Sequence, residues 1–342
     1  MTAQDPLATE LVTDANFDAQ RYLLACGDLA DPYRDGLDSW AHFDAHGRHE
    51  RRHQLAGLPR TPPADRSPGV TLCAIARNEG SYLIEWIAYH RLIGIDHIVL
   101  YSNDSDDGSD ALLADLAALG LIDYRPWPGV EGRSSQLSAY QDAIVRCESR
   151  WIAFLDLDEF LNLKNDASIG EFLARFDGDV AAIALNWRLF GSAGRVAREA
   201  GLVTERFNRA SPPDHPFSRQ TKTIAVASQI YKVAAHRVRL MHGRYVDASG
   251  AALDPGRGFA PVCHDLVQVN HYVLKSRAEF EEKRRRGSGL RAVGDPMKFT
   301  HRDGSYFEDH DRNEVIDDSI SRWGPALMGA IARLEALLAG VR

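Results

Sequence analysis

Asp156, Asp158 and Glu159 are the residues of this chain best placed to do chemistry. They sit inside the run Trp151-Ile-Ala-Phe-Leu-Asp-Leu-Asp-Glu-Phe-Leu-Asn162. Side chains alternate along an extended segment, so Asp156 and Asp158 point the same way. Two carboxylates at that spacing suit a hard divalent cation that keeps sites free for phosphate oxygens. A solvated acidic turn is the plainer alternative. The apolar residues in front and the third acid behind favour the metal site.

The elements around the cluster tell where it must lie. Trp151 to Leu155 reads as a short strand covered on both faces. Val70–Ala76 predicts a strand, Tyr82–Ile93 a helix, His97–Ser102 a second strand and Ser109–Leu119 a second helix. Ile122–Arg125 and the helical Gln136–Cys147 lead on to the acidic strand. Repeated β-α-β units imply an α/β fold, a mainly parallel sheet with helices on both faces. Ligands of such sheets bind at the carboxyl ends of the strands, where the three acids should emerge. Beyond Val180–Leu185 the pattern loosens, with short strands expected at Thr223–Val226, Ile230–Val233 and Leu266–Val269. Helices are expected near Ala278–Arg286 and Pro325–Leu338.

The loops narrow the ligand class. The first strand is followed by Ala76-Arg-Asn-Glu-Gly-Ser81, which fails the Gly-x-Gly-x-x-Gly test for a dinucleotide, and a P-loop is absent. The second strand leads into Tyr101-Ser-Asn-Asp-Ser-Asp-Asp-Gly-Ser109, rich in groups that accept bonds from a nucleoside. Asp107 or Ser109 there would also cap the next helix.

Upstream, residues 58–69 carry four prolines and read as a linker to residues 1–57. Thr13 to Leu55 is expected to be a small helical module, with helical spacing in Phe17–Leu24 and Gly36–His46. His42, His46, His49 and His53 recur at helical intervals, but Arg48, Arg51 and Arg52 between them make a solvated basic surface the better reading.

Composition bounds the rest. The 342 residues are 44% hydrophobic and 26% charged, which excludes global disorder. A net charge of -8 argues against general nucleic-acid binding. Cys26, Cys73, Cys147 and Cys263 are scattered and expected to be reduced and mostly buried. The opening Met1-Thr-Ala-Gln-Asp-Pro has neither the basic segment nor the apolar core of a signal peptide. No run reaches the roughly 18 apolar residues of a membrane span, so a cytoplasmic location is expected. No oligomeric state is readable.

Four motifs in order carry a resemblance: Arg77-Asn-Glu-Gly-Ser-Tyr-Leu-Ile-Glu-Trp-Ile-Ala-Tyr-His90, Asn103-Asp-Ser-Asp-Asp107, Phe154-Leu-Asp-Leu-Asp-Glu-Phe-Leu161, and Asn270-His-Tyr-Val-Leu-Lys-Ser276 with Phe280, Lys283, Arg286 and Gly287. The chain resembles nucleotide-sugar glycosyltransferases of the A-type fold, close to family 92 and related family 2-like bacterial enzymes. The resemblance covers Val70 to about Ile320, so the catalytic domain is expected over residues 70–342, with a nucleotide-binding half to residue 165 and an acceptor half beyond.

The resemblance implies roles. Arg77, Asn78 and Glu79 would hold uridine or ribose, and Asn103 and Asp107 the same nucleoside; Ser102 stands where related enzymes often carry aspartate. Asp156 and Asp158 would hold Mn²⁺ or Mg²⁺ against the diphosphate, a Lewis-acid role. His271 is the candidate third ligand, with His242 and His264 competing, and a core position beside Tyr272 the other reading of His271. Lys275, Lys283, Arg284, Arg285 and Arg286 form a cationic cluster, of which the resemblance favours Lys275 and Arg286 as diphosphate partners. Gln136, Ser138 and Tyr140 would line the donor pocket.

The expected reaction moves a sugar from a UDP-sugar to a glycan hydroxyl with inversion, which needs a carboxylate base. Glu205 and Asp214 are the candidates, and Trp187, Arg188 and Phe190 a candidate acceptor platform. Two alternatives stand beside it: an Asp-x-Asp phosphatase or phosphotransferase with Asp156 as nucleophile, and a non-catalytic carbohydrate-binding protein of the same fold.

Overall fold

The computed structural model describes residues 8–29, 38–56, 67–254, 260–300, 302 and 304–341. The N-terminal part contains β1 (Thr9–Leu11), α1 (Ala19–Ala25), α2 (Ser39–His42) and β2 (His53–Leu55). It is thus not purely helical: β1 and β2 pair antiparallel. Tyr22, Leu23 and Phe43 pack with Tyr231 of the larger domain, and the buried Gln20 amide donates to the carbonyls of Ala227 and Ile230. Most of the predicted 58–69 linker lies outside the described residues, and its last three residues open a strand.

The alternation then follows as expected: β3 (Ser67–Ala76), α3 (Gly80–Leu92), β4 (His97–Ser102), α4 (Ser109–Ala118), β5 (Asp123–Pro126), α5 (Ser135–Arg146) and β6 (Ser149–Phe154). β3 lies parallel to both β4 and β6, and β4 parallel to β5. The strand order therefore runs outward from β3 through β4 to β5, then returns to β6 on the other side of β3. That reversal opens a crevice at the carboxyl ends of β3 and β6, the usual ligand position in an open α/β sheet. Leu72, Ile98, Leu100, Ile152 and Phe154 are buried along these strands, each side chain contributing about 1.5–3 kcal/mol of hydrophobic stabilisation.

The second half adds β7 (Glu159–Leu163), α6 (Ile169–Leu173), β8 (Val180–Leu189), α7 (Val203–Arg206), β9 (Arg209–Ala210), β10 (Thr221–Val226), β11 (Ile230–Val233), β12 (Val238–Leu240), β13 (Arg244–Asp247) and β14 (Val267–His271). It ends with α8 (Arg277–Arg286), α9 (Gly304–His310), β15 (Val315–Ile316) and α10 (Gly324–Ala339). β10 joins β6 and β8 antiparallel. β14 lies between β8, parallel, and β7, antiparallel. The result is one nine-stranded, mostly parallel sheet running β5-β4-β3-β6-β10-β8-β14-β7, with β13 on β8.

β7 is the element the sequence pattern hid. Trp151 to Leu163 reads as one apolar stretch broken only by acids, yet the chain leaves β6 after Phe154, turns through Leu155–Asp158, and enters β7 at the far end of the sheet. Asp156 and Asp158 therefore occupy a tight connection between two strands of one sheet. Cys26, Cys73 and Cys147 are buried, Cys263 is half-buried, and all four are free thiols. Among the described residues no helix is long and apolar enough to cross a membrane.

Candidate functional site

The turn after β6 faces a cleft of about 320 Å³. Arg77 and Glu79 enter it from the end of β3, Asn103 from the end of β4, Gln136 from the first turn of α5, and His271 from β14. Lys283 and Arg286 reach it from α8. That helix starts cleanly: Ser276 and Glu279 form a reciprocal capping box. Three loop residues around this region adopt positive φ, Asn78 (53°), Asp104 (53°) and Lys275 (58°). Asn and Asp tolerate that conformation; for Lys275 it is strained, the kind of cost that concentrates at functional sites.

Each acid of the turn has its own partners. Asp156 accepts from Lys222 Nζ at 2.9 Å and from Gln136 Nε2 at 2.8 Å. Burial pushes its carboxyl up, but the Lys222 ammonium outweighs burial and holds it below the usual range. Asp158 accepts from Lys283 Nζ, and His271 Nε2 stands 3.6 Å from the same oxygen. Burial is again overcome, here by Lys283 and then His271, and the carboxyl lies well below its ordinary value. Glu159, fully buried, points back into the protein: its Oε2 accepts from the Asp156 N–H at 2.8 Å and lies 3.1 Å from Lys222. Burial pushes Glu159 up, and the two neighbouring aspartates add to that.

Among the described residues no three His, Cys, Asp or Glu side chains converge as a metal cage. Asp158 and His271 do converge as a pair, while Asp156 is turned toward Lys222 and Gln136. Burial keeps the His271 ring neutral against the pull of Asp158, as a metal ligand requires. Its Nδ1 is buried without a hydrogen-bond partner. A carboxylate and an imidazole 3.6 Å apart fit two positions on one divalent cation, and the Lys283 ammonium, bound to that carboxylate, shows that the place accepts positive charge. His242 lines a different cavity, and His264 Nε2 pairs with the Trp187 carbonyl at 2.9 Å.

The remaining expected residues divide. Asn78 ties two loops together, donating to Asp106 and accepting from its N–H, and Asp107 accepts from the Gly80 and Ser109 N–H groups. Both line the neighbouring 240 Å³ cavity rather than the cleft. Lys275 also belongs to that cavity, its ammonium 4.1 Å from the Tyr82 ring centroid. Arg286 clamps the loop after β3, donating to the Arg77 and Asn78 carbonyls and to Glu79. Arg284 pairs with Glu281, and Arg285 is exposed.

Neither expected base reaches the cleft. Val203 and Thr204 donate to the buried Glu85 carboxylate, which anchors α7 and turns Glu205 outward, exposed near Gly324. Asp214 lines a separate cavity with Arg219 and Leu253. Of the aromatic platform only Trp187 faces the cleft, held between His236 and His271 at ring distances of 5.0 and 4.2 Å. Arg188 is buried beside Asp317, and Phe190 packs on Tyr272.

Four residues that matter here were not anticipated: Lys222, His236, Lys298 and Arg302. His236, Lys298 and Arg302 line the cleft. Lys222 carried a faint signal, since a lone lysine within an apolar strand must find partners if buried. Arg77, Lys283, Arg286, Arg291, Lys298 and Arg302 give the cleft that holds the acidic turn a cationic lining, while Lys222 lies buried behind it against Asp156 and Glu159. Arg77 Nε and Arg302 Nε are buried without hydrogen-bond partners, the expected state of donors built for an anionic ligand.

Residues 69–314 match the family model described as glycosyltransferase family 92. A family 92 protein of Ricinus communis is 26% identical over 219 residues, covering 62% of this chain and 36% of that protein. One of Oryza sativa subsp. japonica is 23% identical over 225 residues, covering 64% and 35%. The chain thus spans about a third of the length of these relatives. Among solved structures, glucosyl-3-phosphoglycerate synthase from Mycobacterium tuberculosis with Mn²⁺, UDP and glucosyl-3-phosphoglycerate shares 12% identity over 52% of this chain and 64% of that one, at a TM-score of 0.30.

Proposed function

The chain belongs to glycosyltransferase family 92, and on that premise we propose that it is a glycosyltransferase moving a sugar from a UDP-sugar to a hydroxyl of a glycan, with inversion at the anomeric carbon and with Mn²⁺ or Mg²⁺. The observation that carries the reading is the cleft itself: Asp156 and Asp158 line it together with Arg77, Lys283, Arg286, Arg291, Lys298 and Arg302, at the carboxyl edge of the sheet where its strand order reverses.

The diphosphate would take the cationic side, where the unpaired Arg77 Nε and Arg302 Nε can donate to its oxygens. Arg286, held by Glu79 and two backbone carbonyls, fixes the loop against which the nucleoside lies. Asn103, fixed by its amide donating to the Trp127 carbonyl at 3.1 Å, lines the same cleft and would contact the nucleoside. Asp158 and His271 would hold the divalent cation, which supplies neutralisation of the charge building on the departing diphosphate. Trp187, packed against the His271 ring, is the apolar surface available to a sugar ring.

Calorimetric titration with UDP, with and without Mn²⁺, on the wild type and on Asp158→Ala tests this reading. Metal-dependent UDP binding that disappears in the variant is the expected result. Absence of UDP binding by the wild type under both conditions overturns the donor assignment.

A further inference from the structure

We propose that His236 is the general base of this cleft, receiving the proton of the attacking acceptor hydroxyl; the inference rests on the transferase reading above. An inverting displacement needs a basic atom beside the nucleophile. The carboxylates lining the cleft are each paired with a cation: Glu79 through Oε1 with Arg286, Asp156 with Lys222 and also with the Gln136 amide, Asp158 with Lys283. His271 turns its Nε2 to Asp158.

His236 is different. It lies in the turn between β11 and β12, which is closed by the Ala234 N–H donating to the Arg237 carbonyl at 2.8 Å. Thr223 Oγ1 donates to its carbonyl at 3.0 Å, fixing the backbone against β10. The ring is fixed as well. Nδ1 lies 3.3 Å from the Thr221 carbonyl, and a carbonyl only accepts, so Nδ1 carries the hydrogen and Nε2 the lone pair. Nε2 has no hydrogen-bond partner among the described residues. The imidazole meets Trp187 edge-on at a centroid distance of 5.0 Å, and both rings line the cleft with Asp156 and Asp158. A sugar hydroxyl resting at Trp187 is therefore next to an oriented, unoccupied base.

The charged and titratable neighbours are Lys222 on β10, Asp156 in the turn and His271 on β14. Burial, with Lys222, lowers the His236 ring to about 4, so it is neutral at neutral pH with a basicity like that of a carboxylate. In the step, the acceptor oxygen bonds to the anomeric carbon while the carbon–oxygen bond to the diphosphate breaks. That electron pair leaves on the diphosphate, and the acceptor proton passes to Nε2, giving an imidazolium that later returns it to water.

The test follows UDP release from UDP-glucose, UDP-galactose and UDP-N-acetylglucosamine, with water or an added oligosaccharide as acceptor. With a donor the wild type turns over, His236→Ala should lower kcat at least about 100-fold, leave UDP affinity within about twofold, and regain part of its turnover with free imidazole. His236→Asn keeps a donor for the Thr221 carbonyl but has no base at the Nε2 position. It should fold like the wild type and be equally slow. Turnover by His236→Asn within a few-fold of wild type, or parallel loss of UDP binding, overturns the assignment. A wild type that binds UDP yet turns over none of these donors overturns this inference and leaves the UDP site standing. Failure to bind UDP overturns the donor assignment and this inference with it.

Discussion

Lys283 and Asp158, 125 residues apart in the chain, are joined by a direct ion pair between the inner face of α8 and the turn after β6. The same ammonium donates to the Val273 carbonyl at 3.1 Å. Burial lowers Lys283 to about 8 against the opposing pull of Asp158, and Arg302, Lys275 and Arg286 lower it further. A cation crowded by other cations is held there by one carboxylate.

This pairing makes Lys283 a competitor for any metal at Asp158. Lys283→Met should bind Mn²⁺ alone more tightly than the wild type, by about fivefold, or roughly 1 kcal/mol. UDP affinity should fall in the same variant, because a cationic partner of the diphosphate is lost. Calorimetry on the two proteins checks both; unchanged or weaker Mn²⁺ binding would count against Lys283 standing in the cation's place.

Glu159 offers a separate test of the turn. Burial and two adjacent aspartates push its carboxyl up against the opposing pull of Lys222, 3.1 Å away, a balance that favours the neutral form. A neutral isostere should then be tolerated. Glu159→Gln is expected to unfold within about 1 kcal/mol of the wild type, while Glu159→Ala, which strips the Asp156 N–H of its acceptor, should lose about 2–4 kcal/mol. Urea denaturation of both variants decides; a Gln variant as damaged as the Ala variant would mean that Glu159 is ionised.

Glu279 sets an acid limit on stability. Burial raises its pKa, but the Arg206 guanidinium and the Ser276 side chain and N–H overcome burial and hold it at about 2. A carboxyl depressed from the ordinary value of about 4.3 contributes stability that is present above that value and lost as pH falls toward 2, here roughly 3 kcal/mol. The gap in unfolding free energy between wild type and Glu279→Gln should be full at pH 7 and shrink steadily from about pH 5 downward. A gap independent of pH would show that the carboxylate charge is not what Arg206 recognises.

The parts of this fold set by local pattern were legible beforehand. The strand expected at Trp151–Leu155, the helix at Ser109–Leu119 and the strand at His97–Ser102 follow from apolar periodicity and turn residues, and the structure has them within two residues, at Ser149–Phe154, Ser109–Ala118 and His97–Ser102. β7 was not, because an apolar run carries no mark of where the chain changes direction. In the site, Asp156 and Asp158 stood out because acids closing a buried strand are rare. His236 and Lys222 did not, since their neighbours in space are Trp187 and Asp156, far away in sequence, and no spacing records that. Lys275 was placed at the diphosphate by its motif, whereas in the fold its ammonium lies 4.1 Å from the Tyr82 ring centroid, a contact no spacing records.

Arg286 should matter for the ligand more than for the fold. Its guanidinium reaches the Arg77 and Asn78 carbonyls at 2.8 and 3.1 Å and pairs with Glu79, spanning from the last turn of α8 to the loop after β3. That loop carries Arg77, one of the two unpaired donors in the cationic lining. Removing Arg286 leaves Glu79 without its counter-ion and frees the loop from α8. Only one side of the clamp is deeply buried, and α8 keeps its capping box, so global unfolding should change by no more than about 1–2 kcal/mol. Loss of a charge-assisted donor and of loop fixation should weaken UDP binding by about 10- to 100-fold. Arg286→Lys restores charge but not the three-way fork, and should recover little of that loss. Calorimetric UDP titration of Arg286→Ala and Arg286→Lys, beside a urea melt of each, separates the two effects. Full recovery by Arg286→Lys would reduce the role to bulk charge.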